Sequence, residues 1–277
     1  MNPPQDKYIQ VERIKTRYWA EGEGEAAAVF IHGIGGSIEP WLSSFTSLAS
    51  RQPVYAMDLM GHGLTDKPMD ISYNVSEFAT FIKNFMAALP IKHAHIVGHS
   101  MGGAIALRFT LMFPEMVDKL VLVSSAGLGK AISPALRICA IPFLGESLTH
   151  PSLSGTGTSL KTLVYDPAVI SKESIYLNYK MASLPGAQKA FLRILRTNFS
   201  PLFGQIGTTS MAELGTIKNP VLVIWGKQDH TIPVAHSDSA ANYLPDVHTH
   251  IFDHCGHLPM LEHEQEFNGL LSDFLSY

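Results

Sequence analysis

The chain has only two cysteines in 277 residues, Cys139 and Cys255, and they lie far apart in sequence. They do not make a disulfide framework, so a reducing compartment fits this composition. The chain also lacks an apolar run long enough to cross a bilayer, and its first fifteen residues lack the apolar core of a signal peptide. We therefore expect a cytoplasmic protein with no membrane span.

No large charge excess is present either. Twenty basic and 24 acidic side chains give a formal net charge of −4, and no long run carries one sign. Nothing in this distribution indicates a nucleic-acid surface. A chain of this length can bury a full core, and α/β proteins of this size are often one domain. We expect a small-molecule partner, and a homodimer remains compatible with the sequence.

Short apolar runs alternate with helical patterns through the first half of the chain. Apolar residues at helical spacing occupy 76–89, where Ser76 is a plausible N-cap, and 102–113. Runs rich in Val, Ile and Leu are typical of strands buried on both faces, and they occupy residues 26–32, 53–59, 93–98 and 119–125. This alternation predicts an α/β fold with a mostly parallel central sheet flanked by helices. Residues 8–22 are expected to add an antiparallel hairpin at one edge.

The alternation is interrupted by a long stretch without a clear buried strand. This stretch includes a Gly/Ser/Thr-rich segment at 152–160 and a helix-like segment at 187–199. Strand and helix patterns return after it, in residues 220–226, 248–253 and 264–277. Neither flank looks complete without the other. We therefore predict one core built from residues 1–127 and 216–277, with residues 128–215 inserted as a helical cap.

The sequence Gly98-His99-Ser100-Met101-Gly102 has the pattern Gly-x-Ser-x-Gly between an apolar run and a helical pattern. A glycine two places to either side of a serine suits a sharp strand-to-helix turn, where a side chain would crowd the backbone. An ordinary turn would give the same letters by chance. The choice depends on whether the chain supplies a base, an acid and an oxyanion site.

Two later segments supply the missing groups. Asp229 follows the strand predicted at 220–226, and His257 lies on the loop after the last predicted strand. The order Ser100, Asp229, His257 is the one expected for this type of turn. Each residue follows the C-terminal end of a strand, which is the edge where parallel sheets build their sites. We predict Ser100 as the nucleophile, His257 as its base and Asp229 as the acid that orients the base.

His254 competes with His257 for the role of base. Gly256 before His257 and Pro259 after it indicate a shaped loop, which favours His257. His254, Cys255 and His257 also look superficially like metal ligands, but they lack a second ligand cluster at a usable spacing. We therefore predict no metal and no cofactor.

Asp229 has rivals as well, and it could simply cap a turn or helix. Asp246 and Asp253 are alternative acids, although Asp253 lies on the same loop as the predicted base. The strand at 119–125 is another place where an acid could stand, but it ends in serines. The absence of an acid at that strand end favours Asp229 as the acid of the triad.

Acyl transfer also needs hydrogen-bond donors for an oxyanion. The backbone N–H of Met101, at the start of the helix after Ser100, is the first candidate. The second candidate is the N–H of Ile34, because Gly33, Gly35 and Gly36 let backbone amides face a ligand. A phosphate loop is the alternative for this segment, but the Lys-Ser/Thr ending and the Gly-x-Gly-x-x-Gly spacing are missing.

Together these motifs resemble those of α/β-hydrolase-fold serine hydrolases. The matching segments span roughly residues 25–127 and 218–277, and they read FIHGIGGS, AMDLMGHGLTDKP, VGHSMGGAIAL, VLVIWGKQDHTIP and HCGHLPMLEHEQEF. The resemblance implies the α/β-hydrolase fold, the same triad and oxyanion donors, and a variable cap at 128–215. Family members that are haloalkane dehalogenases or epoxide hydrolases carry an aspartate at the turn, so Ser100 argues against both activities.

Our main functional hypothesis is hydrolysis of carboxylic esters with a small or medium acyl chain, through an acyl-enzyme. The apolar segment 131–145 could line an acyl pocket. Its candidate pocket residues are Ile138, Ile141, Phe143 and Leu144. A helix buried against the core would have the same composition.

The alternative is a C–C bond hydrolase of vinylogous diketo acids from aromatic-ring cleavage, a group that the core and the Phe-Asn of the last helix resemble. Arg193 or Arg196 could then hold a substrate carboxylate, unless both lie on a solvated face. The chain departs from that group at Leu258, where tryptophan is frequent, and in a glycine loop without the Gly-Pro-Gly form. A ligand receptor on this fold is a third hypothesis, although binding does not require a complete triad.

Overall fold

The computed structural model describes residues 3–276, which form ten strands and twelve α-helices. The strands are β1 (Lys7–Val11), β2 (Ile14–Glu21), β3 (Ala27–Ile31), β4 (Val54–Met57), β5 (Ala94–His99), β6 (Val117–Val123), β7 (Phe199–Ser200), β8 (Gly204–Gln205), β9 (Val221–Gly226) and β10 (Val247–Phe252). The helices are α1 (Leu42–Ala49), α2 (Val75–Ala88), α3 (Met101–Met112), α4 (Pro134–Cys139), α5 (Leu144–Leu148), α6 (Leu153–Lys161), α7 (Lys172–Ala182), α8 (Ala187–Asn198), α9 (Met211–Leu214), α10 (His236–Tyr243), α11 (Pro259–Glu262) and α12 (Glu264–Leu275).

Eight strands form one sheet in the order β1-β2-β4-β3-β5-β6-β9-β10. The pairs β1/β2 and β2/β4 are antiparallel, and every other pair in this sheet is parallel. This arrangement confirms the predicted parallel sheet and the hairpin at its edge. Because β4, β3, β5, β6, β9 and β10 run in one direction, the residues that follow their C-terminal ends come together at one edge of the sheet.

Strand β3 shows how the sheet is buried on both faces. Its side chains alternate between two apolar clusters, because successive side chains of a strand point to opposite faces. Val29 and Ile31 join the cluster that contains residues of α2 and α3, whereas Ala28 and Phe30 join the one that contains residues of α1 and α12. This two-sided burial explains why the strand reads as a continuous apolar run rather than an alternating one.

Helix α2 begins two residues earlier than the sequence pattern indicates. Asn74, not Ser76, is its N-cap, and the Asn74 Oδ1 accepts the Glu77 N–H at 2.8 Å. The Glu77 carboxylate accepts the Tyr73 N–H at 2.8 Å in return. Asparagine caps as well as serine does, and this reciprocal arrangement satisfies two otherwise unpaired backbone donors.

Residues 128–215, which we call the insertion, contain α4 to α9 and the short antiparallel pair β7/β8, and they contribute no strand to the eight-stranded sheet. Ile34, on the loop after β3, packs against an apolar cluster of the insertion. The carbonyl of Leu163 accepts the N–H of His257 at 2.6 Å. The insertion therefore contacts two loops at the C-terminal edge of the sheet. Within residues 3–276, none of the helices is long and apolar enough to cross a membrane.

Candidate active site

Ser100 lies directly after β5, and its backbone has φ 55° and ψ −121°. A positive φ is uncommon for a residue with a side chain. The turn is closed so tightly that a β-carbon on Gly98 would overlap the Gly102 carbonyl, and one on Gly102 would overlap the Ile31 carbonyl. The two glycines are therefore required by close packing. The turn presents the Ser100 hydroxyl at the start of α3.

His257 joins Ser100 and Asp229 in one chain of hydrogen bonds. The Nε2 of His257 lies 2.9 Å from Ser100 Oγ, and its Nδ1 lies 2.7 Å from Asp229 Oδ2. A carboxylate can only accept, so Nδ1 carries the proton and Nε2 is left to accept the hydroxyl of Ser100. All three residues are buried. The structure thus brings the three predicted residues together in an arrangement where Nε2 can take the serine proton.

The carboxylate of Asp229 is fixed on its other side. Its Oδ1 accepts the N–H groups of Thr231 at 2.7 Å and Ile232 at 3.0 Å, in the loop after β9. Both rival acids, Asp246 and Asp253, are exposed. Asp253 accepts hydrogen bonds from Gln228, the His254 N–H and Lys227, which lower the pKa of its carboxyl to about 2. The rival base, His254, is exposed and packs against the Tyr165 ring.

The backbone of His257 is held from two sides. Its N–H donates to Leu163 of the insertion, and its carbonyl accepts the Nε2–H of His99 at 2.8 Å. The His99 ring is buried, with its centroid 4.8 Å from that of His257. Burial lowers the pKa of His99 well below its ordinary value, and the neighbouring His257 adds to that shift. His99 is therefore a neutral donor that fixes the loop of the base.

No role was predicted for His99 from the sequence. Its position between two glycines of the turn gives no sign of its partner, because the partner is 158 residues away in the chain. Similarly, nothing in the sequence pairs Leu163 with His257. Both contacts depend on how the insertion and the last loop meet.

The loop after β3 runs directly against the nucleophile. A β-carbon on Gly33 would lie 2.9 Å from the Cβ of Ser100. The carbonyl of Gly33 accepts the Nδ1–H of His32 at 2.7 Å, while the Nε2 of His32 accepts the Leu59 N–H at 3.0 Å. Burial lowers the pKa of His32 to about 4, so the ring stays neutral and keeps this tautomer.

This contact also determines which way the next amide points. In a trans peptide the Gly33 carbonyl and the Ile34 N–H point in opposite directions, so fixing the carbonyl on His32 fixes the N–H as well. Met101 is the first residue of α3, and its N–H is one of the amides that a helix leaves unpaired at its N-terminus. The geometry is compatible with both predicted oxyanion donors, whose role remains a prediction.

The four predicted pocket residues are exposed to solvent. Ile138, Ile141, Phe143 and Leu144 are all exposed, and 89% of the Phe143 surface is accessible. The partly buried residues Leu136, Cys139 and Phe191 instead pack against the same apolar cluster as Ile34. The helical pattern did not reveal which face of α4 points inward.

The two arginines considered as carboxylate ligands are engaged elsewhere. Arg196 makes a bidentate pair with Glu146, with both N–O distances 2.8 Å. Arg193 is exposed and donates to the carbonyl of Met69. Neither contact involves Ser100 or His257.

Within residues 3–276, no three His, Cys, Asp or Glu side chains are grouped so that they could hold an ion. Cys139 and Cys255 are both free thiols. Burial, followed by the charge of Glu262, raises the pKa of the Cys255 thiol. Cys255 is thus a buried apolar side chain rather than a thiolate ligand.

Comparison with known proteins identifies the family of the chain. The sequence model of the Alpha/beta hydrolase family matches residues 28–270. The chain belongs to the alpha/beta hydrolase family. It is 30% identical over 287 residues to a 2-hydroxymuconate semialdehyde hydrolase from Pseudomonas putida, with 100% of this chain and 98% of the relative covered.

Solved structures of other alpha/beta hydrolases superpose over nearly the whole chain. A meta-cleavage product hydrolase from Pseudomonas fluorescens IP01 matches with TM-score 0.86 and 27% identity, covering 98% of this chain and 97% of that one. A structure described as a putative lipase from Acinetobacter baumannii AYE matches with TM-score 0.84 and 28% identity, covering 98% and 90%. The chain is therefore a hydrolase of the alpha/beta fold.

Proposed function

We propose that this alpha/beta hydrolase uses Ser100 to cleave the C–C bond next to a ketone in vinylogous diketo acids of the kind that aromatic-ring cleavage produces. The observation that carries the proposal is the hydrogen-bond chain from Ser100 through His257 to Asp229. The C–C specificity is supported by the relatives that are hydrolases of such ring-cleavage products. No metal or other cofactor enters the proposed reaction.

In the first half of the reaction, Ser100 Oγ attacks the ketone carbon while His257 Nε2 takes its proton. The N–H groups of Ile34 and Met101 stabilise the oxyanion. The intermediate then collapses and breaks the C–C bond. Conjugation with the remaining keto acid stabilises the leaving carbanion, and the proton on His257 is transferred to it.

In the second half, water replaces the leaving group. His257 takes a proton from that water as it attacks the acyl group on Ser100. Collapse of the second intermediate breaks the Ser100 ester, and the proton returns to the serine. Asp229 stabilises the imidazolium that forms in each half. The products are a carboxylic acid and the shortened keto acid.

A second candidate is hydrolysis of carboxylic esters. It is favoured by the contacts of Arg193 and Arg196, because both side chains have partners other than a substrate carboxylate. An ester with an apolar acyl chain does not need such a cation. The likeness to the putative lipase supports the same candidate.

The test compares the two substrate classes on one enzyme preparation. The loss of the ring-cleavage product chromophore is followed beside p-nitrophenyl esters of increasing length. We expect kcat/KM for the best diketo acid to exceed that for the best ester by at least about tenfold, which is ~1.4 kcal/mol of transition-state stabilisation. The reverse ratio would assign the ester reaction instead.

Ser100→Ala is the control for both substrates. It should lower kcat on the order of a millionfold, because the triad acts as a unit. Ser47→Ala, which changes an exposed serine of α1, should leave both reactions unaltered. Turnover by Ser100→Ala within tenfold of the parent would reject the nucleophile for both candidates.

A further inference from the structure

The exposed apolar surface of this protein is concentrated in the insertion. Within residues 3–276, twenty large apolar side chains are exposed, and fourteen of them lie in residues 128–215. The insertion makes up only about a third of residues 3–276. Its share of the exposed apolar side chains is therefore larger than an even distribution over the surface would give. Six of the fourteen surround α4 and the turn between β7 and β8, and we call them the apolar rim: Ile138, Ile141, Phe143, Leu144, Leu202 and Phe203.

The two parts of the apolar rim are held next to each other. Arg137 of α4 donates from Nε to the carbonyl of Pro201 at 2.8 Å and from Nη2 to that of Leu202 at 2.9 Å. Those carbonyls belong to the turn between β7 and β8. The guanidinium therefore fixes the turn beside α4, and the rim is one surface rather than two separate ones.

Three side chains of the apolar rim project without burial. Phe143, Leu202 and Phe203 have 89%, 76% and 75% of their surface exposed. The backbone of Phe143 also has φ 67°, a conformation that is unfavourable for a residue with a large side chain. Its ring gains little from packing within the chain in return for that strain. An external apolar phase would supply the burial that the fold does not.

The charge distribution around the apolar rim indicates which kind of apolar surface would cover it. The insertion contains eight basic and four acidic side chains, whereas the rest of the chain contains twelve basic and twenty acidic ones. Next to the apolar rim lie Arg137 and the exposed Lys130, whose carbonyl accepts the Gln205 N–H of β8 at 2.9 Å. The nearby Glu146 is neutralised by Arg196. Projecting apolar side chains with basic neighbours are the features of proteins that bind the surface of anionic bilayers.

We propose that the apolar rim inserts into the headgroup region of a bilayer that contains anionic lipids, so that the enzyme works while bound to a membrane surface. A second copy of the chain is the less favourable occupant. A symmetric contact through the rim would bring Lys130 and Arg137 of both copies together, and their charges would repel.

Membrane binding through the apolar rim would bring the candidate active site close to the bilayer. Helix α4 carries the exposed Ile138 on one side, and Leu136 and Cys139 pack against the cluster that contacts Ile34. The same short helix thus connects the rim with the loop that supplies a predicted oxyanion donor.

The experiment is co-sedimentation of the full chain with vesicles. Phosphatidylcholine vesicles are compared with vesicles that also contain about 30 mol % phosphatidylglycerol, at low and high salt. We expect binding to the anionic vesicles that weakens with salt. Phe143→Ser combined with Phe203→Ser should lower the partition coefficient by at least about tenfold. Tyr243→Ser, which removes an exposed aromatic side chain of α10, should change it less than about twofold.

Thermal unfolding of each variant establishes that the fold is retained. If the double variant unfolds early, Lys130→Gln provides the second test, and its binding to the anionic vesicles should become weaker and less dependent on salt. Absence of binding by the parent chain, or binding that the double variant retains in full, would overturn the proposal. So would a parent dimer in sedimentation velocity that the double variant dissociates, because a second copy would then occupy the apolar rim.

Discussion

At the scale of single residues, the candidate site depends on the protonation states of its histidines as much as on the distances between its groups. The Asp229 carboxylate accepts hydrogen bonds from two backbone N–H groups and from His257. His32 and His99 are buried and have lowered pKa values, which keep both rings neutral around pH 7. Each neutral ring has one donor and one acceptor nitrogen, and the structure uses that asymmetry to orient the Ile34 amide and the His257 carbonyl.

The orientation of His257 by Asp229 can be tested directly. Asp229→Asn should lower kcat by about 10⁴ and leave KM almost unchanged, because the amide favours the wrong tautomer of the imidazole. Asp253→Asn is the matched control, since Asp253 contacts Gln228 and Lys227 rather than His257. Steady-state kinetics on either substrate class suffices. The assignment of the acid is wrong if the control variant shows the larger loss.

His99 is expected to act as a positioning residue. His99→Phe keeps an aromatic ring against His257 and Trp41 but removes the hydrogen bond to the His257 carbonyl. A base displaced by about 1 Å can cost on the order of a hundredfold in rate, so kcat should fall by about 10- to 100-fold while KM changes little.

Two observations distinguish this role of His99 from a loss of fold. His99→Gln can still donate a hydrogen bond and should recover part of kcat, whereas a purely steric role would favour the phenylalanine variant. The apparent pKa of the base in the pH profile of kcat should move in His99→Phe. Wild-type kinetics in that variant would show that the hydrogen bond has no part in catalysis.

At the scale of elements, substitutions on the two sides of α4 test which side faces the acyl pocket. Leu136 packs toward the cluster next to Ile34, and Ile138 is exposed. We expect Leu136→Trp to narrow the acyl site and to lower kcat/KM for long p-nitrophenyl esters far more than for the acetate. Ile138→Trp, the same change on the outer face, should leave chain-length preference unaltered. Equal selectivity in both variants would place the acyl pocket away from α4.

The elements that the sequence predicts well are those whose burial depends on the strand alone. β5 and β9 are buried on both faces, and their predicted positions agree with the structure to within a residue. The outward face of α4 was not predicted, because it depends on the turn between β7 and β8, which is more than 60 residues away. His99 was missed for the same reason. The local sequence pattern predicts whether a segment is buried, but it does not predict contacts with loops that are distant in the chain.

At the scale of the whole molecule, charge and burial are divided between the core and the insertion. Acidic side chains dominate outside the insertion and basic ones within it. The buried histidines with lowered pKa values all lie outside the insertion. His32, His62, His95, His99 and His236 are buried outside the insertion, and burial is the largest cause of the lowered pKa in each. Folding therefore removes sites that the unfolded chain protonates in mild acid.

This difference predicts how stability depends on pH. For His32 the pKa falls from 6.5 to about 4 on folding. Between these values the unfolded chain binds more protons than the folded one, so the free energy of unfolding rises with pH. The contribution of His32 is complete above about pH 6.5 and is lost progressively as the pH falls to about 4. The shift corresponds to about 3 kcal/mol for this residue.

Urea unfolding between pH 4 and 7.5 measures that slope. The parent chain should lose stability steeply below pH 6.5, because the four other buried histidines with lowered pKa values, His62, His95, His99 and His236, add to the effect of His32. His32→Asn keeps a donor for the Gly33 carbonyl and should make the slope shallower by about one proton. His150→Asn replaces an exposed histidine and should keep the slope of the parent. If stability stays flat from pH 7 to 5, folding does not lower the pKa values of these histidines, and the neutral tautomer assigned to His32, with Nε2 accepting the Leu59 N–H, is wrong.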